Sequence, residues 1–288
     1  MKYFILMIIL AVNYSVCQSQ KTDKKLQAQI QNLVKGFNGE VGVFLKNIRT
    51  NKIVSINADT IFPTASMVKI PILIGVIDKI SKGELQYHQN LVYKDSLLYA
   101  GVDLLGSFKN NESIELSKLI MLMLTMSDNT ASLWLQSLTG GGTTINEILD
   151  KLGLRSTRVN SRTPGREQDR KQFGWGQTTP KEMVLLFEKI YRREIISDSA
   201  SQKMLRLMGR DYWDEEAISQ VPAGIFVAAK NGAVDESRSE TLLVLAPKNP
   251  YIFSICTKNN KDRSWKEDNE AWVLSKKLSK LLWEQYGD

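Results

Sequence analysis

Histidine and cysteine are almost missing from this chain: one histidine, His88, and two cysteines, Cys17 and Cys256, stand in 288 residues. A single histidine excludes zinc hydrolases, which need two or three. No G-x-S-x-G elbow is present to work with His88 in a hydrolase triad, and its neighbours Gln86, Gln89 and Asn90 mark it as an exposed bystander. Two cysteines do not make a disulfide scaffold, and Cys256, inside the apolar stretch Tyr251–Cys256, reads as a buried small hydrophobe. Internal repeats, linkers and low-complexity segments are also absent. Gly140-Gly141-Gly142 lacks the Gly-Lys-Ser/Thr of a phosphate loop and reads as a helix stop.

What is present is an ordinary globular composition, 43% hydrophobic and 24% charged, long enough for a sizeable core. Residues 1–17 differ: Lys2, an apolar run from Tyr3 to Val12 and a short polar segment form a secretory signal peptide. The run is too short to span a bilayer comfortably. Cleavage after Cys17 is expected, which makes the mature chain periplasmic or secreted with no transmembrane span. Lipidation of Cys17 is the alternative, opposed by the large Val16 before it. Loss of Lys2 takes the net charge from +7 to +6. That excess is mild, and most lysines lie on helices among acidic partners, so nucleic acid is not an expected partner. Arg155, Arg158, Arg162, Arg166, Arg170 and Lys171 form one basic segment without clear helical period. It is read either as a solvated loop or as a bias towards anionic substrates.

Periodicity gives the element order. A helix over 24–37 precedes two strands, Val41–Leu45 and Lys52–Ile56. Ser66 to Ile80 is apolar nearly all round and predicts a buried central helix, with Pro71 forcing a distortion or a late regular start. Further helices are expected at 116–126, 130–138, 144–152, 180–193 and 197–208, with Thr144 and Glu147 as a capping box and Pro180 in a first turn. Strands follow at 225–230, 241–245 and 251–257, then a helix over 266–286. The expected fold is mixed α/β (α+β): an antiparallel sheet built from both chain ends and flanked by the terminal helices, with an inserted all-helical lobe. The mature chain, 18–288, is one catalytic domain, its α/β lobe at about 22–60 and 210–288 and its helical lobe at about 61–209.

Ser66-Met67-Val68-Lys69 places a lysine one helical turn from a serine, on the same side. A serine hydroxyl needs a base to take its proton, and a desolvated lysine can serve. Alone the pattern arises by chance. Ser127-Asp128-Asn129, in a turn between two apolar helices, is rarer, although Asp128 or Asn129 could be simply a helix cap. Lys230-Asn231-Gly232 ends a strand. In this order the three resemble the S-x-x-K, S-D-N and K-T-G motifs of the class A β-lactamases and related penicillin-binding enzymes. The resemblance covers nearly the whole mature chain, including Phe62-Pro63-Thr64-Ala65, Met123–Ala131 and Thr178-Thr179-Pro180.

The resemblance implies an acyl-enzyme on Ser66, with Lys69 as its proton partner and Ser127 delivering a proton to the leaving nitrogen. Asn129 would hold the substrate amide, Lys230 would attract the substrate carboxylate and tune Ser127, and the N–H groups of Ser66 and Ala233 would form the oxyanion hole. Asn231, Gly232, Ala233 and Arg238 complete the expected substrate-binding set. The substrate is a small β-lactam or peptide amide, and neither cofactor nor metal is called for; a monomer is expected. β-Lactam hydrolysis is the first reading, and a D-alanyl-D-alanine peptidase or esterase with slow β-lactam turnover is the alternative. Four departures matter. Asn231 stands where the family has Thr or Ser. Laid without a gap over the family's omega loop, the segment from Thr157 to Pro180 puts Thr163 at the deacylating glutamate, and Ser161 and Gly176 at the usual Arg–Asp salt bridge. Glu167 falls where an asparagine helps to hold the hydrolytic water. An inward Glu167 would be a catalytic replacement; an outward one is a surface charge.

Overall fold

The computed structural model describes residues 20–287; the signal-peptide reading of residues 1–17, Cys17 included, lies outside them. The main sheet has six strands: β1 (Lys21–Thr22), β2 (Glu40–Asn47), β3 (Lys52–Ile56), β9 (Val227–Val234), β10 (Ser237–Val244) and β11 (Tyr251–Lys258). Their order is β1-β3-β2-β11-β10-β9, antiparallel throughout except for β1, which runs parallel to β3. Both chain ends therefore meet in one sheet, and β9 is its terminal strand. The remaining strands are short: β5 (Asn90–Val92) pairs with β6 (Ser113–Glu115), while β4 (Phe62–Pro63), β7 (Arg158–Val159) and β8 (Gly176–Thr178) form a three-stranded patch ordered β4-β8-β7.

The sheet is covered on both faces, which explains why β2 is buried from Val41 to Asn47 and does not alternate. Val41, Val43 and Leu45 face a core shared with α1 (Lys24–Val34) and α9 (Glu270–Tyr286). Phe44 faces the larger core, which continues into the helices between the sheet's two halves. There α7 (Pro180–Tyr191) lies on the sheet, fixed by the buried pair of Lys46 on β2 with Glu188, at 2.6 Å, and Glu188 also meets Arg192 at 2.8 Å. At the centre is α2 (Lys69–Ser81), whose residues from Lys69 to Ile77 are all buried. Around it stand α3 (Leu116–Thr125), α4 (Asn129–Leu138), α5 (Gly141–Lys151) and α8 (Asp198–Met208).

Pro71 has the expected effect. Residues Ala65–Val68 form a 3-10 turn and the regular helix starts only at Lys69, so the missing N–H falls among donors that have no helical acceptor anyway. Two local expectations are corrected. Thr144 is not a cap: α5 starts at Gly141 with Gly140 as its N-cap at φ 93°, and the Thr144 hydroxyl bonds back to the Gly140 carbonyl within the first turn. Glycine can take that left-handed conformation without strain. The basic segment also contains a helix, α6 (Glu167–Phe173), too short and too polar to show a period. Thr179 and Ser197 cap α7 and α8 as their positions suggest. His88 is exposed, 2.8 Å from Glu115. Cys256 is fully buried, and burial pushes its thiol up to about 11.

Candidate active site

Three stretches of chain, distant in sequence, converge beside α2. Ser66 lies on the 3-10 turn one helical turn before Lys69. Ser127 sits between α3 and α4 at φ 60°, and Ala65, just before Ser66, at φ 43°. Both are left-handed conformations that non-glycine residues rarely take, held here at the two candidate serines. Asp128 settles the choice of cap for α4: its Oδ1 accepts from the Ala131 N–H at 2.7 Å, while Oδ2 accepts from Leu105 N at 2.9 Å. With Asn129 N bonded to Val102 O at 2.7 Å, this ties the loop carrying Tyr99 and Val102 to the Ser127 turn.

The third stretch is β9. A Cβ on Gly232 would lie 2.3 Å from Thr64 O and 2.8 Å from Ser66 N, so only glycine lets the strand pack this closely on the nucleophile's turn. That approach brings Asn231, Gly232 and Ala233 into the cavity wall with Ser66.

Lys69 is the hub. Its Nζ lies 3.0 Å from Ser66 Oγ, 3.0 Å from Ser127 Oγ, 2.5 Å from Ser127 O and 3.1 Å from Asn129 Oδ1. The side chain is fully buried, and burial, aided by the nearby charge of Lys230 and opposed by Asp128 and Asp211, holds the amine well below the usual lysine range. A neutral amine has two protons and one lone pair. Donating to Ser127 O and Asn129 Oδ1 leaves the lone pair for the Ser66 hydroxyl, the arrangement a general base requires.

Lys230 is also buried, and burial lowers its affinity for a proton against the pull of Asp211. Its Nζ is 3.6 Å from Asp211 Oδ2, a charge contact too long for a hydrogen bond. Burial raises the Asp211 carboxyl in turn, with Lys230 opposing. Asn231 does not simply keep a hydroxyl's donor: its Oδ1 accepts from Lys230 Nζ at 2.9 Å. Arg238, on β10 opposite Ala233, is buried under Trp265 and Trp272, with its guanidinium carbon 4.3 and 4.9 Å from their ring centres.

The omega segment has no bridge at positions 161 and 176, where Ser161 and Gly176 stand; its Arg–Asp pair is instead Arg166 with Asp169, at 3.1 Å. Gln136 on α4 donates to Ser161 O and accepts from Ser161 Oγ, and Arg166 bonds Asn160 at 2.6 Å and Gln177 at 2.9 Å. Thr163 is buried against α5, where a Cβ on Gly142 would fall 1.8 Å from its Oγ1. Glu167 is exposed on α6, its carboxylate accepting from Gly165 N at 3.1 Å; of the two orientations expected it takes the outward one.

Two cavities open at Ser66. One, about 480 Å³, is lined by Asn129, Tyr99, Trp175 and Gln172, with Tyr99 and Trp175 packed edge to face at 5.0 Å. The other, about 340 Å³, is lined by Ser127, Asn231, Trp213, Glu216, Arg238 and Glu240 among others. Sequence reasoning missed Asp211, Glu240 and Tyr99. The signal for Glu240 was a charged pair, Arg238 and Glu240, alternating into an apolar strand; for the other two there was none.

This fold, with a buried lysine joining two serines, defines a serine acyl-transfer enzyme. The sequence model of the β-lactamase enzyme family matches residues 25–286, and the chain belongs to that family. It is 22% identical over 294 residues to β-lactamase VEB-1 of Pseudomonas aeruginosa, covering 98% of this chain and 97% of that one. To the extended-spectrum β-lactamase PER-1 of the same organism it is 21% identical, covering 92% and 89%. Among solved structures, PBP-A superposes with a TM-score of 0.82 at 23% identity, covering 93% of this chain and 97% of that one. The extended-spectrum β-lactamase TLA-1 also gives 0.82, at 20% identity, covering 92% and 99%.

Proposed function

We propose that this chain is an exported serine hydrolase that opens β-lactam rings through an acyl-enzyme on Ser66. The observation that carries it is the buried Lys69 amine, 3.0 Å from both serine hydroxyls, with burial holding it well below the usual lysine range. Ser66 Oγ attacks the carbonyl as its proton passes to Lys69. The N–H groups of Ser66 and Ala233 receive the oxyanion, Ser127 hands a proton to the leaving nitrogen, and Asn129 and Lys230 hold the amide and the carboxylate. The leader at residues 1–17 puts this activity in the periplasm or outside the cell. No described helix is long and apolar enough to cross a membrane.

One observation favours a second reading, a penicillin-binding peptidase with slow β-lactam turnover. Thr163 is buried against α5 and Glu167 points to solvent. On the acyl side of Ser66 the one carboxylate among the lining residues is Glu236, paired with Arg263. PBP-A, one of the structural relatives, has been captured in a single-site mutant form as an acyl-enzyme with penicillin G. Mixing the purified protein with a chromogenic cephalosporin, following colour and intact mass together, separates the two. Rapid colour without lasting adduct supports the hydrolase; a persistent adduct on Ser66 supports the peptidase; no adduct on Ser66 overturns both. In the same assay Glu167→Gln should lose its adduct at the parent rate, and an accumulating acyl-enzyme would return Glu167 to the chemistry.

A further inference from the structure

The two cavities at Ser66 divide by chemistry. Asn129, which holds the amide of the acyl group, lines one; Ser127, which protonates the leaving nitrogen, lines the other. The second is therefore the leaving-group side. It runs from Ser66 past the end of β9 towards α9, and its ionisable lining is lopsided: four carboxyl side chains, Glu215, Glu216, Glu240 and Glu267, against Arg238.

Arg238 leaves an incoming anion only its Nε, which has no partner. Its Nη1 and Nη2 donate to the carbonyls of Ser237 and Ser264, each at 3.1 Å, and both indoles cover its plane. Glu240 is incompletely paired as well. It is 3% exposed, on β10 opposite Asn231, and only Oε2 is satisfied, by Ala217 N at 3.1 Å and Ser275 Oγ at 3.0 Å. Oε1 has no hydrogen-bond partner. A buried carboxyl oxygen without a donor is costly, and a cavity beside it gives a place from which a donor can come. Glu216 meets Lys276 only at 3.6 Å, and Glu215 and Glu267 stand exposed near the mouth with Trp213 and Trp265. Carboxyl groups at the mouth and at the floor, with the Trp213 indole at the rim, are surroundings that hold ammonium groups.

We propose that this cavity is a subsite for a cationic, amine-bearing leaving group, bound between the tryptophan rim and Glu240 while its carboxylate end stays near Lys230. The proposal rests on the acyl-serine reading above and adds the charge of the substrate's departing half. Burial lifts the Glu240 carboxyl to about 8, so an entering ammonium meets either a carboxylate it helps to ionise or a neutral acceptor.

The test is a set of cephalosporins with one C7 side chain and a C3′ group that is quaternary ammonium, neutral or carboxylate-bearing. Each kcat/KM for acylation of the mature protein is divided by that compound's hydroxide-catalysed rate, which removes intrinsic reactivity. The cationic compound should lead the anionic one by about tenfold, and Glu240→Gln should bring the ratio to within about twofold. The double change Glu215→Gln and Glu267→Gln, at exposed positions that do not threaten folding, should lower the ratio and weaken its dependence on salt. Equal normalised rates in the parent, or an unchanged ratio in Glu240→Gln, overturn the subsite while leaving the acyl-serine reading intact. Failure of every compound to acylate Ser66 overturns both.

Discussion

Lys69 has to be neutral to act, and the two largest influences on it work towards that. Burial strips water from the ammonium, Lys230 repels it, and the carboxylates that would favour it, Asp128 and Asp211, are weaker influences. Acylation should therefore fall as the pH drops through the lowered pKa of Lys69, well below the ordinary lysine range. A pH profile of kcat/KM that instead climbs towards the ordinary lysine range would show that Lys69 is charged at rest. Lys69→Ala should slow acylation by a factor on the order of 10²–10⁴, the usual worth of a general base, measured as the growth of the acyl-enzyme mass. An unchanged rate would move the base to Ser127 and Lys230.

At the scale of elements, the site depends on how closely β9 and the nucleophile's turn pack. Gly232→Ala would set a methyl carbon 2.3 Å from Thr64 O and 2.8 Å from Ser66 N, so the strand or the turn must give way. Both proposed oxyanion donors, the N–H groups of Ser66 and Ala233, lie on these two elements. Acylation should fall by about 10²–10³, as when an oxyanion donor is lost, with the melting temperature changed far less; a parent-like rate would mean that the hole is built elsewhere. The motifs were legible in the sequence because Ser66, Lys69, Ser127 and Lys230 carry their chemistry in their spacing. The packing was not, because Gly232 reads as part of a motif and only its neighbours show why it cannot be larger. The same limit governed α6, whose seven residues Glu167–Phe173 give no periodicity, and α5, where Thr144 and Glu147 mimic a cap inside the helix.

For the molecule as a whole, Glu240 links the substrate cavity to stability. Its carboxyl ionises near 4.5 when unfolded and near 8 when folded. Between those values the unfolded chain binds fewer protons than the native one, so this group makes the protein less stable as the pH rises. Glu240→Gln removes the dependence. The variant's gain in unfolding free energy should be small at pH 5 and grow to a few kcal/mol, on the order of one per pH unit, by pH 8, read from urea unfolding at both pH values. A pH-independent gain would show that Glu240 is already ionised in the native protein. The overall architecture was legible from the chain's ends: apolar strands in residues 41–56 and 225–257 cannot bury both faces unless they share one sheet between the terminal helices and the helical insertion. Pairing order and the parallel β1 were not, since hydropathy says nothing of which strand lies beside which.

The position of β9 at the rim of the sheet has a wider consequence. A terminal strand has a row of main-chain groups with no partner strand, and on β9 the stretch from Asn231 to Ala233 lies beside the nucleophile. On the proposed reading an extended acyl chain would lie along it as a seventh strand, its main-chain bonds giving affinity and the pockets around it giving preference. Catalysis and substrate preference are thereby uncoupled. Replacing Tyr99, Trp175, Trp213 or Trp265 around the rim can alter which compounds are accepted without touching a group that moves a proton, so the spectrum of such an enzyme is free to drift while its chemistry stays fixed.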